Sequence, residues 1–321
     1  MNKRDKIFVA GHRGLVGSAL VRCLRAGGFE NLVVRSHVEL DLTDQHAVRT
    51  FFSEERPTSV LLAAARVGGI LANATRSGEF IRENLMIETN VIHEAYCHGV
   101  ERLLLLGSSC IYPRDCPQPI REEYLMTGPL ERTNSAYATA KIAGVEMCHA
   151  YNRQYGTRYI CAMPTNLYGP EDNFSAETSH VLPAMIRKFH DAKISKASVV
   201  LWGTGTPRRE FLHVDDMAAA CLEIMGQPDA ALGWLFSNDL PPLLNIGCGQ
   251  DLSVKELAGL VAEIVNYRGP VQWDQSKPDG TPRKLLDISR MKRLGWEPRI
   301  SLPDGIRRVY EWFQETEAVR Q

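Results

Sequence analysis

The first half of the chain alternates short apolar runs with longer amphipathic segments. The apolar runs have the length and composition of buried strands, and the segments between them carry apolar residues at helical spacing. Continuous apolar strands separated by helices predict a parallel sheet with helices on both faces. The predicted strands are Ile7–Ala10, Leu32–Arg35, Val60–Ala64, Leu103–Leu106 and Tyr159–Met163.

The helices between these strands have recognisable starts and stops. The first begins within residues 11–17, places Leu15, Ala19, Leu20 and Leu24 on one face, and stops at Gly27-Gly28. A second helix starts at Thr43 and carries Val48, Phe51 and Phe52. Two longer helices are predicted over residues 84–98 and 136–155.

The alternation of predicted strands and helices becomes less regular after Tyr168-Gly169-Pro170. Strands are predicted at residues 199–202, 211–214 and 243–246, and helices at 253–267 and 303–315, the former after a Ser253/Glu256 capping box. We therefore predict an α/β fold with two parts. A Rossmann-like doubly wound parallel sheet that binds NADP spans 1–169, with returning segments near 210–226 and 243–248. A smaller α/β substrate lobe spans 170–321.

Composition narrows the class of partner. The 321 residues carry a formal net charge of −1, and no Lys/Arg block exceeds two residues, so we expect no nucleic-acid partner. The longest apolar runs, such as 60–65, fall far short of the roughly 20 residues of a membrane span, and the N-terminus lacks the pattern of a signal peptide. Eight scattered cysteines without a Cys-x-x-Cys pair argue against zinc or disulfides and suit the cytoplasm.

A glycine-rich segment lies between the first strand and the first helix. The spacing Gly-x-x-Gly-x-x-Gly in this position is typical of a dinucleotide loop, whose glycines allow a tight turn and close approach of a pyrophosphate to the helix N-terminus. A purely structural glycine turn is the alternative. The candidate cofactor residues of this segment are Gly11, His12, Arg13, Gly14, Leu15, Val16 and Gly17.

The end of the second predicted strand decides between NAD and NADP. A carboxylate there would accept the ribose hydroxyls of NAD, whereas guanidinium groups would bind the additional phosphate of NADP. The chain has Arg35 at this place, followed by His37, and Arg13 lies in the glycine loop. NADP is therefore preferred over NAD. Asp41 is predicted either to flank the adenine or only to lead into the next helix.

Tyr137 and Lys141 are four residues apart in a predicted helix, so they project from one face. An ammonium beside a phenol favours the phenolate, so we expect Lys141 to lower the pKa of Tyr137 toward the range of acid-base catalysis. The apolar strand 103–106 ends upstream in small polar residues. A strand end with hydroxyls beside this helix is typical of a site that polarises a carbonyl; a solvated Tyr and Lys are the alternative.

The segment Gly-Ser-Ser-Cys-Ile-Tyr-Pro at 107–113, with Tyr137 and Lys141, resembles the extended short-chain dehydrogenase/reductase superfamily. The resemblance covers nearly the whole chain and is closest to a branch that epimerises and reduces nucleotide-linked keto sugars. Its other motifs are Gly-His-Arg-Gly-Leu-Val-Gly (11–17), Ala-Ala-Arg-Val-Gly-Gly-Ile (64–70), Met-Pro-Thr-Asn-Leu-Tyr-Gly-Pro (163–170), the segment 202–216 from Trp-Gly-Thr to Val-Asp-Asp, and Ser-Lys-Pro-Asp-Gly-Thr-Pro-Arg-Lys (276–284).

The resemblance implies roles for particular residues. Ser108, Tyr137 and Lys141 would form the reductase triad, and Cys110 and His180 the acid/base pair of epimerisation, with base and acid unassigned. Further cofactor contacts would come from Leu106, Gly107, Ser109, Lys141, Pro164, Thr165, Asn166, Leu167 and His180. The sugar nucleotide would be held by Lys188, Trp202, Arg209, Asp279 and Lys284. His37 and Lys188 depart from the family pattern, which has Arg at both positions.

The resemblance also implies the reaction. We expect an NADP-dependent, metal-free enzyme that epimerises GDP-4-keto-6-deoxy-D-mannose at carbons 3 and 5 and reduces it at carbon 4, and that forms a homodimer through the helices at 84–98 and 136–155. Two alternatives compete. One is an epimerase or dehydratase that retains NAD, which would need a carboxylate in place of Arg35. The other is a non-catalytic dinucleotide sensor, which would typically lack Tyr137 or Lys141.

Overall fold

A six-stranded parallel sheet lies at the centre of the computed structural model, which describes residues 1–69, 73, 75–175, 179–236, 240–277 and 279–320. Its strands are β1 (Ile7–Ala10), β2 (Leu32–Val33), β3 (Ser59–Leu62), β4 (Arg102–Leu106), β5 (Arg158–Pro164) and β10 (Leu243–Ile246). Their order is β10-β5-β4-β3-β1-β2, and all neighbours run parallel. The predicted Rossmann-like doubly wound sheet is confirmed, with its switch point between β1 and β3.

Helices connect and cover these strands. Those of the first half are α1 (Leu15–Ala26), α2 (Gln45–Glu55), α3 (Ser77–Cys97) and α4 (Ser135–Tyr155). Those of the second half are α5 (Val181–Ser195), α6 (Val214–Gly226), α7 (Asp229–Leu232), α8 (Val254–Val265), α9 (Ser289–Arg293) and α10 (Leu302–Arg320). Short 3-10 turns occur at Ser109–Ile111, Glu122–Tyr124, Arg132–Asn134 and Gly233–Phe236.

Alternation along the strands builds the two faces of the core. Ile7 and Val9 of β1 point into a cluster with α1 and α6, whereas Phe8 and Ala10 point into a cluster with α2, α3 and α4. Successive strand side chains point to opposite faces, so a strand covered on both sides must be apolar throughout. All four residues of β1 are buried for this reason.

A third apolar cluster lies beyond Tyr168 and joins α5, α8 and α10. Around it are a parallel pair formed by β7 (Val199–Trp202) and β12 (Val271–Asp274), and a small sheet of β8 (Arg208–Arg209), β11 (Leu252–Ser253) and β13 (Arg283–Lys284). β6 (Asn166–Tyr168) pairs with β9 (Phe211–His213), which ties this region to the end of β5. The predicted domain boundary at 169/170 stays a prediction.

Most predicted elements are confirmed, and their ends differ in instructive ways. The second strand stops at Val33 because Ser36 turns away, bonded to Glu39. α2 begins after Asp44, whose carboxylate accepts two backbone N–H bonds, so the predicted start at Thr43 is wrong by two residues. The Ser253/Glu256 capping box is confirmed. Helix α5 was not predicted. Ile70 and Pro278, in two of the family motifs, lie outside the described residues.

In the part of the chain that the structure describes, no helix combines the length and the apolar composition needed to cross a bilayer.

Candidate active site

The glycine loop is packed against the neighbouring strand. Gly11 has a φ of +82°, and a Cβ there would lie 2.8 Å from the backbone nitrogen of Ala64, beyond the end of β3. A Cβ on Gly17 would lie 2.0 Å from the carbonyl oxygen of Gly11, a distance that backbone atoms cannot accept. A Cβ on Gly14 would meet only ordinary contact at 3.5 Å. The tight turn therefore depends on Gly11 and Gly17.

This turn leaves the start of α1 free to bind an anion. Gly14 is the N-cap residue, and no described side chain caps the helix there. The first N–H groups of a helix have no partner within it and carry partial positive charge, which suits a pyrophosphate. The loop stands at the switch point between β1 and β3, where sheets of this topology bind their ligands. The residues present therefore fit a dinucleotide.

Arg35 follows β2, and its side chain interacts with other residues of the chain. Its guanidinium pairs with Glu55, donates to the Val34 carbonyl at 2.9 Å, and stands 5.7 Å from the centre of the Phe51 ring. The pKa of Glu39 is lowered, mainly by its hydrogen bonds from Ser36 and further by the charges of Arg35 and Arg13. The Glu39 carboxylate is therefore close enough to both predicted phosphate-binding guanidinium groups for their charges to lower its pKa.

His37 and Asp41 lie near each other at the protein surface. His37 is 81% exposed, with its Nδ1 atom 3.8 Å from the Asp41 carboxylate. Asp41 accepts hydrogen bonds from the backbone nitrogen and the hydroxyl of Thr43, at 2.9 and 2.8 Å. These bonds form the turn that leads into α2, which is the structural alternative predicted for Asp41.

The segment after β4 is shaped by Gly107. A Cβ on Gly107 would lie 2.1 Å from the Cε atom of Met163, so a larger residue after β4 would require this buried side chain to move. Ser108 is extended, and its hydroxyl accepts the backbone N–H of Cys110 at 3.4 Å, which caps the 3-10 turn. Ser109 and Cys110 are buried. Ser108 is thus held directly at the end of β4, beyond Leu106.

Tyr137 and Lys141 lie on α4 beside this segment. The Lys141 ammonium stands 5.8 Å from the centre of the Tyr137 ring and donates to the carbonyl of Leu106 at 3.0 Å. It also lies 2.8 Å from a carboxylate oxygen of Glu88 on α3, and each of these two side chains is only 1% exposed. Phe80 packs edge-on against the Tyr137 ring at 6.4 Å. The structure therefore brings phenol, ammonium and strand end together.

The expected lowering of the Tyr137 pKa is wrong. Burial raises the pKa of Tyr137 well above its ordinary value, and the neighbouring Cys110 and Glu88 raise it further. The Lys141 ammonium is paired with Glu88, so the carboxylate offsets much of its effect on the phenol. The sequence shows the cation, whereas its pairing with Glu88 appears only in the folded chain. The raised pKa favours the protonated phenol.

Burial also shifts the pKa values of Cys110 and His180. It raises the pKa of the Cys110 thiol, although Lys284 acts in the opposite direction. His180 precedes α5 as its N-cap residue, and desolvation by the surrounding protein lowers the pKa of its imidazole. Both shifts favour the neutral forms, a thiol and an uncharged imidazole.

Arg209 and Lys284 lie side by side on neighbouring strands. β8 and β13 run parallel, and these two residues are paired in the ladder. Burial lowers the pKa of both side chains, and for Lys284 the charge of Arg209 lowers it further while Cys110 raises it. Two partly desolvated cations on adjacent strands repel each other unless an anion lies between them. This arrangement suits a diphosphate.

Trp202 and its neighbours form an open surface beside this pair. Trp202 is 66% exposed, and the Lys188 and Lys277 ammonium groups lie 5.8 and 5.6 Å from its ring centre. Lys188 also donates to the carbonyl of Val200 at 3.0 Å. Asp279 accepts hydrogen bonds from the backbone nitrogen and hydroxyl of Thr204, at 3.0 and 2.7 Å. Asp279 thus fixes the turn after Trp202.

Residues 164–167 connect β5 to β6. Thr165 is buried, and its hydroxyl donates to the backbone carbonyl of Glu210 at 3.2 Å. The Asn166 side chain donates to the same carbonyl at 2.8 Å. Asn166 therefore uses its amide nitrogen to hold the strand end in place. Pro164 ends β5, and Leu167 lies in β6.

Sequence reasoning missed Glu88. A signal was present, because Glu88 shares its helix face with Asn84, Val91, Ile92 and Ala95, all of which are buried. An acidic residue within an otherwise buried helix face calls for a partner. His213 has a structural role: its Nδ1 atom accepts the backbone N–H of Asp215 at 3.2 Å and caps α6. Within the described ranges, no three His, Cys, Asp or Glu side chains group as metal ligands would.

Comparison with known proteins gives consistent matches. A model of the NAD dependent epimerase/dehydratase family matches residues 7–238. The chain is 57% identical over 316 residues to a putative GDP-L-fucose synthase 2 of Arabidopsis thaliana, covering 98% of this chain and 93% of that protein. It is 52% identical over 317 residues to the GDP-L-fucose synthase of Escherichia coli strain K12, covering 98% of both.

A solved structure is similar along the same length. The GDP-mannoheptose C4 reductase from Campylobacter jejuni, determined with NADP bound, has a TM-score of 0.88 and 42% sequence identity. The match covers 98% of this chain and 99% of that one.

Replacing Gly17 tests the glycine loop. Gly17→Ala places a methyl group against the Gly11 carbonyl and forces the loop away from β3. We expect NADPH binding, measured by fluorescence titration, to weaken by about tenfold or more, or about 1.4 kcal/mol. Gly259→Ala is the matched control, because a Cβ there meets nothing within 4 Å on α8. Equal affinities for the two variants would contradict the loop assignment.

Proposed function

The chain belongs to the NAD dependent epimerase/dehydratase family, and from that premise we propose that it converts GDP-4-keto-6-deoxy-D-mannose to GDP-L-fucose. It is an NADP-dependent enzyme that combines 3,5-epimerase and 4-reductase activities. The observation that carries the proposal is the constellation at the end of β4. Ser108 and Cys110 follow the strand directly, and Tyr137 and Lys141 stand beside them on α4.

The paired cations of β8 and β13 support a sugar diphosphate as substrate. Arg209 and Lys284 would neutralise its two phosphates, and the charge of Lys284 also acts on Cys110. A diphosphate held by this pair would therefore bring the attached sugar toward Cys110. The exposed ring of Trp202, flanked by Lys188, would offer the base a flat apolar surface for stacking.

The chemistry of the keto sugar explains the need for an acid/base pair. Carbons 3 and 5 flank the carbonyl, so removal of either hydrogen gives an enolate. Inversion requires a proton to leave on one face and return on the other. A neutral imidazole at His180 can accept a proton and the thiol of Cys110 can donate one, and a transfer between the two groups reverses these roles. A thiol with a neutral imidazole and a thiolate with an imidazolium hold the same number of protons, so base and acid stay unassigned.

Tyr137 and Ser108 would serve both reactions at the same oxygen. Hydrogen bonds from the two hydroxyls to the oxygen at carbon 4 would stabilise the enolate during epimerisation and the alkoxide during reduction. The raised pKa of Tyr137 favours the protonated phenol, which can give its proton to that oxygen. Bound NADPH supplies the hydride. The glycine loop and the start of α1 would hold its pyrophosphate, and Lys141 its nicotinamide ribose.

The two alternative functions lack support from these residues. An enzyme that retains NAD would present a carboxylate after β2, whereas Arg35 occupies this place. A sensor without catalysis would not need the buried Lys141 beside a desolvated Tyr137. Decay of absorbance at 340 nm with NADPH and the keto sugar separates both alternatives from the proposed reaction.

We further propose that the protein is a cytoplasmic homodimer that pairs through α3 and α4. The eight cysteines are free, which suits a reducing compartment. Three tyrosines cluster on these two helices: Tyr96 stacks on Tyr155 at 4.2 Å, and Tyr151 packs edge-on against both. Aromatic residues are enriched in protein interfaces, and a twofold axis would place this surface against its own copy.

Substitution of the catalytic residues should separate the two activities. Tyr137→Phe removes the proton donor at carbon 4, so we expect reduction to slow by about 100-fold or more. Cys110→Ser should block inversion while leaving hydrogen exchange partly active at one carbon. Turnover in deuterated water, with the label and product stereochemistry assigned by NMR, measures both.

Two variants serve as controls for that experiment. Tyr155→Phe lies on the same helix as Tyr137, and Cys97→Ser changes an exposed cysteine, so both should behave as the wild type. Deuterium at both carbons together with inverted product from Cys110→Ser would refute the role given to the thiol.

Arg35→Ala should alter the choice of cofactor. Loss of a charge-assisted contact to the additional phosphate, about 1.5–3 kcal/mol, predicts a KM for NADPH about tenfold higher or more, with the KM for NADH little changed. Arg22→Ala, which removes a surface pair with Asp215, is the control. An equal effect on NADPH and NADH would show that Arg35 acts through its pair with Glu55 alone.

The dimer surface can be tested by charge. Tyr155→Glu places a carboxylate in the tyrosine cluster, where Tyr155 is 42% exposed. Light scattering should give twice the mass of one chain for the wild type and a single-chain mass for this variant, with unchanged circular dichroism. Lys255→Glu on α8 is the control. A dimeric Tyr155→Glu protein would place the interface elsewhere.

A further inference from the structure

Glu88 is an acidic residue in the middle of the core. It lies on the face of α3 that packs against the sheet and α4, among Val91, Ile92 and other buried residues. Its carboxylate is 1% exposed and lies 2.8 Å from the Lys141 ammonium, which is equally buried. Helix packing alone would be served better by an apolar side chain, since burying a carboxylate is costly.

The carboxylate occupies a space that another residue leaves open. Gly144 follows Lys141 by about one turn on α4. A Cβ on Gly144 would lie 2.3 Å from the Glu88 Oε2 atom and 3.0 Å from the Leu105 Cδ2 atom. Any other residue at 144 would displace the acid. Lys141 and Gly144 of α4 thus form the site that holds the Glu88 carboxylate. The ammonium pairs with the carboxylate, and the missing side chain of Gly144 leaves room for it.

Glu88 has a single partner in the described part of the chain. Neither of its oxygens has a hydrogen bond of good geometry there, and the ion pair with Lys141 is its one short polar contact. Lys141, in contrast, also donates to the carbonyl of Leu106 at the end of β4. The acid therefore depends on the lysine, and the lysine is held between the acid and the strand that leads to Ser108.

We propose that Glu88 is a positioning residue of the reductase: it holds the Lys141 ammonium at the end of β4 and balances its charge, so that Tyr137 remains a proton donor. This inference rests on the proposed function. The effect of Glu88 reaches the reaction through Lys141, its ion-pair partner, and the phenol.

Several charged or titratable groups surround this pair, and they come from each packed element. Tyr137 on α4 faces Glu88 from α3 and Cys110 from the turn after β4, and burial and both neighbours raise its pKa. Lys284 from β13 acts on Cys110. Cys161 on β5 is close enough to Glu88 and Lys141 for their charges to act on it, and its thiol is hydrogen-bonded to that of Cys148. Burial raises the pKa of Glu88 and the charge of Lys141 lowers it, and these two side chains form the ion pair beside the phenol in the described chain.

Removing the acid should therefore change the phenol in a defined direction. Glu88→Gln leaves the Lys141 cation without its counter-charge, and an unbalanced cation favours the phenolate. The phenol would then lose its proton at a lower pH. Because reduction uses the protonated phenol, the alkaline limb of the rate profile should move to lower pH.

The test is the pH dependence of kcat/KM for NADPH oxidation with GDP-4-keto-6-deoxy-D-mannose. We expect the alkaline limb of Glu88→Gln to lie about one pH unit or more below that of the wild type. Glu88→Asp keeps the charge, so its limb should stay in place even where the rate falls. Glu94→Gln is the matched control, since it removes another buried acid of α3, paired with Arg49 at 3.3 Å.

A lower rate with an unmoved alkaline limb in Glu88→Gln would reduce Glu88 to a packing residue and overturn the proposal. So would the same shift in Glu94→Gln. Absence of NADPH oxidation in the wild type would instead refute the proposed function.

A stability measurement keeps the pairing falsifiable where Glu88→Gln folds poorly. The double variant Glu88→Gln/Lys141→Met removes both charges, so it should unfold at a higher urea concentration than Glu88→Gln alone. A double variant no more stable than the single one would refute the ion pair, whatever the enzyme does.

Discussion

A buried ammonium at the carboxyl end of β4 is the constraint on which the site depends. The sheet is covered on both faces, so a charge placed there is removed from water and needs a partner within the protein. Lys141 has two, the Leu106 carbonyl and the Glu88 carboxylate. These contacts join α3, α4 and β4 at one point. Loss of one member of such a buried pair typically costs about 3–5 kcal/mol, which fixes the relative positions of the three elements.

Burial has the largest influence on the pKa values of the titratable groups in this site. A lysine four residues from a tyrosine suggests a lowered phenol pKa when only the sequence is considered. In the folded chain burial acts first, and it raises the pKa of Tyr137 and of the Cys110 thiol while lowering that of the His180 imidazole. Every one of these shifts favours the neutral form, because a neutral group loses less on leaving water. Burial of the site thus favours the protonated phenol and thiol and the uncharged imidazole.

The sequence predicts most of the fold because buried strands appear in it as continuous apolar runs. The continuous apolar runs at β1, β3, β4 and β5 can be read without knowledge of their neighbours, and the strand–glycine–helix order places the cofactor loop. Local capping is equally readable, as Ser253 and Glu256 show. Helix α5 was missed, and the start of α3 at Ser77 lies seven residues before the predicted one, because tertiary packing extends helices beyond their apolar pattern.

The sequence predicts which residues form the candidate site, but it does not predict their charge states or their ion-pair partners. Tyr137, Lys141, Ser108 and Cys110 are brought together as expected, because strand end and helix are neighbours in the fold. Pairings between distant residues leave no local trace. Glu88 lies 53 positions from Lys141 along the chain, and Arg35 is joined to Glu55 across the length of α2. Such partners change what a residue does, and only the folded chain shows them.

The side-by-side placement of Arg209 and Lys284 has a consequence for the stability of the second half of the chain. Two like charges on adjacent strands repel each other and thereby destabilise the β8–β13 pair. An anion that binds between them removes this repulsion, and any ligand that binds only the folded form stabilises it. The sugar nucleotide would then be a structural element of this small sheet as well as the molecule it transforms.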